Sequence, residues 1–145
     1  MRRNKIVLSF GIFDFNDITH EELTKLIQIQ PVKVFIRGEK RNPRNPNSPL
    51  IKQNGWIMES PLDKYSTFEE QMNYLLNILE SKMEIFKLIC HKYYCEFSCG
   101  IFVYYGNEES TPWVHLDNRY NDLIKELNIE FDVDLYVLPN DDVAN

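Results

Sequence analysis

The run CHKYYCEFSC puts Cys90, His91, Cys95 and Cys99 within ten residues, and these are the side-chain types that hold zinc. Alternation of apolar and polar residues through the same stretch places Cys95 and Cys99 on one strand face, where four residues at about 3.3 Å each separate them by about 13 Å. Two ligands of one zinc sit within about 4 Å of each other, so the thiols read as core residues and no metal or other cofactor is expected. Thiolate catalysis needs a base facing the sulfur; His91 adjoins Cys90, and sequence neighbours rarely face one another. His20 falls in a first helical turn among carboxylates, and His115 of WVHLD has Asp117 as its nearest partner. No phosphate-cradling glycine loop, HExxH or GxSxG pattern occurs, and no catalytic residue is assigned.

Two charged constellations remain. Asp132 and Asp134 share one strand face about 7 Å apart, loosely the spacing of paired glycosidase carboxylates, although a solvated sheet face carries such residues equally well. With Tyr136 beside them, and Glu96, Ser98 and Tyr104 on the outward face of another strand, they form an acidic and aromatic surface suited to a basic partner. From Arg37 to Gly55 five basic residues face the single acid Glu39, and Arg37, Arg41 and Arg44 supply planar donors for an anion.

The elements that position these groups follow from periodicity and caps. Ile6, Leu8, Phe10 and Ile12 alternate in an opening strand over 5–13. Thr19 and Glu22 make a capping box, with Ile18 and Leu23 as its staple, and predict a helix over 20–28 with Leu23, Leu26 and Ile27 inward. Pro31 bars its continuation, and 32–36 reads as a second strand. Three prolines and four asparagines over 37–55 predict a long exposed, flexible basic loop at about 39–54. A third strand over 55–60 places Trp56 and Met58 on one face, Trp56 as a core anchor; Trp113 is left open between core and surface. Thr67 and Glu70 form a second capping box at the head of one long helix running to about 91. Strand four spans 94–105, a short strand covers 113–116, and Asp117 caps a helix with Tyr120, Leu123, Ile124 and Leu127 inward. In the closing strand Phe131, Val133, Leu135 and Val137 form the core face, and the tail from about 139 to 145 frays. The order predicts an α+β fold: a ferredoxin-like βαββαβ core with an appended helix and strand, its mostly antiparallel sheet covered by helices on one face.

The chain of 145 residues suits one domain and one core. A net charge of −6 argues against general nucleic-acid affinity, and no apolar run approaches the roughly 18 residues of a membrane span. An odd number of crowded cysteines and an N-terminus without a cleavage signal point to reduced thiols and the cytoplasm.

The stretch FGIFDFNDITHEELTKLIQIQPVKVFIRGE, the Gly-Trp of NGWIMES, the FEEQMNYLLNILE helix and the closing FDVDLYV resemble the bacterial domain of unknown function family 4279 over most of the chain. The resemblance implies a shared fold and carries over no catalytic residues. From the residues themselves the leading expectation is a noncatalytic protein-interaction module, of which a toxin-neutralising protein would be one form. The alternatives are a binder of small anions, or an enzyme, with a pocket near the basic loop, and a homodimer joined through the aromatic outer sheet.

Overall fold

The computed structural model describes residues 1–140 and consists, in chain order, of β1 (Lys5–Phe13), α1 (His20–Ile27), β2 (Lys33–Phe35), β3 (Gly55–Glu59), α2 (Phe68–Ser81), α3 (Met83–Lys92), β4 (Tyr94–Tyr105), α4 (Asn118–Glu126) and β5 (Glu130–Pro139). Five strands form one sheet in the order β2-β3-β1-β4-β5. Every neighbouring pair is antiparallel except β4 and β5, which run parallel. A parallel pair needs a crossover connection, and α4 supplies it. The fold is therefore mixed α+β with a mostly antiparallel sheet.

All four helices pack on the sheet face that carries Ile6, Leu8, Phe10 and Ile12 of β1, Trp56 and Met58 of β3, and Cys95, Phe97 and Cys99 of β4. Phe10 sits edge-on to both Phe86 and Phe97, with ring centroids 5.7 and 5.6 Å away, a geometry that sets the positive ring edge against the negative face. Trp56 is fully buried, and its indole N–H donates to Thr24 Oγ1 at 3.0 Å, so the one polar atom of the anchor is satisfied. Gln71 crosses from α2 to β1: its amide accepts from the Leu8 N–H and donates to the Ile6 and Ser66 carbonyls.

Both capping boxes form, at Thr19 with Glu22 and at Thr67 with Glu70. Asp117 accepts from the Tyr120 N–H to start α4. The long helix expected to run to residue 91 is instead two helices, interrupted at Lys82 (φ −128°, ψ 34°). No Pro or Gly stands there, so the break is a tertiary choice: it lets Leu75, Leu76 and Leu79 of α2 and Phe86, Ile89 and Cys90 of α3 enter the same core from different directions. Leu26, expected inward, is exposed, because α1 presents only Leu23 and Ile27 to the sheet.

Residues 113–116 form no strand; Trp113 is exposed and lies parallel to the His115 ring at 5.3 Å. β5 departs furthest from expectation. Phe131 packs on the core, but Val133, Leu135 and Val137 are 50, 62 and 57% exposed. Alternation predicts which side of a strand a residue occupies, and it cannot say whether a helix reaches far enough to cover that side. Of the tail, Pro139 belongs to β5, and residues 141–145 lie outside the described part of the chain.

Candidate functional site: the open face of the sheet

Residues out of phase with the core line the sheet face that the helices leave open. The ladder registers arrange them in rows that cross the strands from β2 toward β5. The first row is Phe35, Gly55, Phe13 and Tyr94; the second is Lys33, Ile57, Gly11, Glu96 and Glu130. Glu59, Ser9, Ser98 and Asp132 follow, then Val7, Gly100 and Asp134, then Lys5, Phe102 and Tyr136. Space at two glycines lets the aromatic rings lie low. A Cβ on Gly11 would come within 2.4 Å of the Phe13 ring, and one on Gly55 within 2.8 Å of the Phe35 ring. At the other end Phe102 and Tyr136 stack with centroids 4.8 Å apart.

The β5 side of this face is acidic. Glu96 accepts hydrogen bonds from the Tyr94 hydroxyl at 2.8 Å and the Ser98 hydroxyl at 2.9 Å. Desolvation nonetheless raises its carboxyl above the usual Glu range, aided by Asp132 beside it. The bond to Glu96 in turn pushes the Tyr94 phenol up to about 12. Among the described residues none of Glu96, Glu130, Asp132 and Asp134 forms an ion pair. The sequence marks Asp132, Asp134, Tyr136 and Glu96, and the parallel pairing of β4 with β5 brings all four onto this side. Tyr104 does not belong with them as an available contact: it is 8% exposed and lies beneath Arg2, whose guanidinium stands 5.6 Å from the ring centre. Glu130 is in phase with Asp132, so the alternation that marks Asp132 places Glu130 on this side as well.

The β2 side is basic. Residues 37–54 are mostly exposed, with Ser48, Ile51 and Asn54 half-buried, and are internally bonded as an irregular hairpin: Gly38 N–H donates to the Ile51 carbonyl, Ile51 N–H to Glu39, and Arg41 N–H to Pro49. Asn54 ties its base by accepting from the Arg37 N–H and donating to the Phe15 carbonyl. Between hairpin and sheet lies a cavity of about 850 Å³, with Phe13 and Phe35 among its walls and with Lys33, Lys40, Arg41 and Lys52 as cations against Glu39. Of the three arginines expected to meet an anion together, only Arg41 lines it; Arg37 and Arg44 do not. Lys33, whose ammonium stands 4.6 Å from the Phe35 ring centre, precedes the basic run in sequence and joins it only through strand pairing.

The three cysteines are buried in the helix-covered core, away from this face. A hydrogen bond with Cys90, together with burial, raises the Cys95 thiol far above its usual range, and burial raises Cys99 to about 11. Such thiols remain protonated and poorly nucleophilic. His91 is exposed, and His115 meets Trp113 rather than Asp117, which is occupied as the cap of α4.

No curated protein and no solved structure matches the chain. A family model does match, over residues 4–138. On that match the chain belongs to the family described as Domain of unknown function (DUF4279).

Proposed function

We propose that this protein is a noncatalytic interaction module whose open sheet face, on its β5 side, receives a positively charged protein surface. The observation that carries the reading is the set of Glu96, Glu130, Asp132 and Asp134 on one uncovered face with no ion pair among the described residues. Charged groups left unneutralised at the surface steer a complementary partner and fix its orientation. Among the described residues β5 is the edge strand of the sheet, and its Val133, Leu135 and Val137 are exposed, which suits an added strand. Neutralising a basic toxin is one form of this activity. Free buried thiols suit a reducing cytoplasm, and no described helix is long and apolar enough to cross a membrane. The order β2-β3-β1-β4 of antiparallel strands, with α1 and α2 on one face, supports a ferredoxin-like core with α4 and β5 appended.

The test is affinity capture by the wild type and by the D132K/D134K variant, followed by titration of the purified captured species. The module reading expects a stoichiometric complex that the double reversal weakens by about tenfold or more. Equal affinity of the two proteins for every captured species overturns it.

The cavity under the hairpin favours a second reading, a site for a small anion on Lys33, Lys40, Arg41 and Lys52. Pyrophosphate and ATP serve as probes in a thermal-shift experiment. Melting temperatures that do not rise above a chloride control at matched ionic strength would remove this reading.

A further inference from the structure

The open face carries opposite charges at its two ends, and the ladder places them in register. Lys33 and Glu130 terminate the same row, at the β2 and β5 edges, with Ile57, Gly11 and Glu96 between them. The hairpin cations Lys40, Arg41 and Lys52 reach the same side of the sheet as Lys33, since they share a cavity with Phe13 and Phe35. Neither group is paired within the chain among the described residues.

Deepening the module reading and resting on it, we propose that the partner is a second copy of this chain, packed open face to open face about a two-fold axis parallel to the strands. That axis exchanges the two edges. It sets Lys33 of one copy over Glu130 of the other and Ile57 over Glu96, with the hairpin cations beside Lys33 at the same edge, and does so twice, as an isologous interface requires. The alternative axis, lying across the strands, would place Lys33 on Lys33 and Glu130 on Glu130, so charge selects between them. Packed sheets stand about 10 Å apart, a gap that an extended Lys and a Glu span together. Strand overlap, limited by the three residues of β2 and the five of β3, gives roughly 400 Å² per copy at about 4.8 Å between strands, to which the hairpin adds; that is the size of a weak, concentration-dependent association. The low-lying Phe13 and Phe35 rings and the small residues Ser9, Ser98 and Gly100 leave the centre flat enough for such contact. Of the other charges on the face, Lys5 already lies over Phe102 at 4.9 Å, and Glu59 would meet Ser98 of the second copy.

Sedimentation analysis at about 100 μM protein tests this, because a dimer's population depends on protomer concentration. The wild type is expected at twice the monomer mass. K33E/R41E/K52E and E130K/D132K/D134K are each expected to weaken the dimer by about tenfold or more, and an equimolar mixture of the two is expected to restore it as a heterodimer. β1 is the central strand, so Ser9 lies on the axis. Ser9→Cys, a conservative change that leaves all charges in place, should be joined to its copy by a bismaleimide spanning about 8 Å, as the sheet spacing requires. The control Glu21→Cys on exposed α1 should not be joined. A monomeric wild type, a dimer indifferent to both reversals, or failure of the Ser9→Cys crosslink overturns the proposal. If the wild type is monomeric while D132K/D134K still loses a heterologous basic partner, the dimer fails and the module reading stands. If that variant keeps every partner as well, both fail.

Discussion

Single atoms decide the shape and charge of the open face. Gly11→Ala would drive a methyl group into the Phe13 ring and Ile57 Cδ1, both closer than 3.0 Å to it. Overpacking of this kind costs about 1–3 kcal/mol, to be read as a lower midpoint in urea with an unchanged slope. Glu96 gives the face a pH dependence. Its folded pKa stands above the ordinary 4.5, so its contribution to stability is complete below that value and is lost as pH rises through the folded pKa. Asp17 and Glu80 act in the opposite sense: Lys92 and Arg119 respectively lower their pKa values, so their contributions are lost as pH falls. Glu96→Gln should therefore remove a decline in melting temperature between pH 4.5 and neutrality while leaving the acid limb in place. A decline that persists in this variant would assign it to other groups. Of these residue-level features, Glu96 was legible from alternation alone, whereas its contact with Asp132 required the pairing of β4 with β5.

At the scale of elements, local signals were reliable where the deciding interactions are local. The capping boxes at Thr19 and Thr67 involve partners three residues apart and form as their spacing demands. Thr67→Ala should lower stability by about 1 kcal/mol in chemical denaturation, with Thr67→Ser restoring most of it. Where distant contacts decide, the same signals fell short. The break at Lys82 has no breaker residue to announce it, and β5 alternates like a buried strand while the helices leave most of it uncovered. Leu135→Thr is accordingly expected within about 0.5 kcal/mol of the wild type, whereas Phe97→Ala, in the middle of the core, should cost about 3–5 kcal/mol. Equal losses from the two would contradict the exposure of β5.

At the scale of the whole molecule, the sheet separates charge that the composition merges into a net −6. The basic hairpin follows β2 at one edge, and the carboxylates of β4 and β5 stand at the other. Association through either end should weaken as salt rises, because exposed charges are screened over about 10 Å at 0.1 M and about 3 Å at 1 M. Sedimentation in a salt series checks this; an association that strengthens with salt would point to the exposed Val133, Leu135 and Val137 instead.

The sequence by itself determined the family, the α+β class, the strand and helix periods, the capped helix starts and the core faces of β1, β3 and β4. Those properties depend on residues within a few positions of each other and on the near-universal burial of apolar faces. Tertiary structure alone decided the strand order, the division of α2 from α3, the exposure of β5 and the joining of Lys33 to the hairpin cations. It also buried Tyr104, which alternation had placed outward. Each of these depends on which distant segments meet, and hydrogen-bond register between strands, rather than any local pattern, sets that.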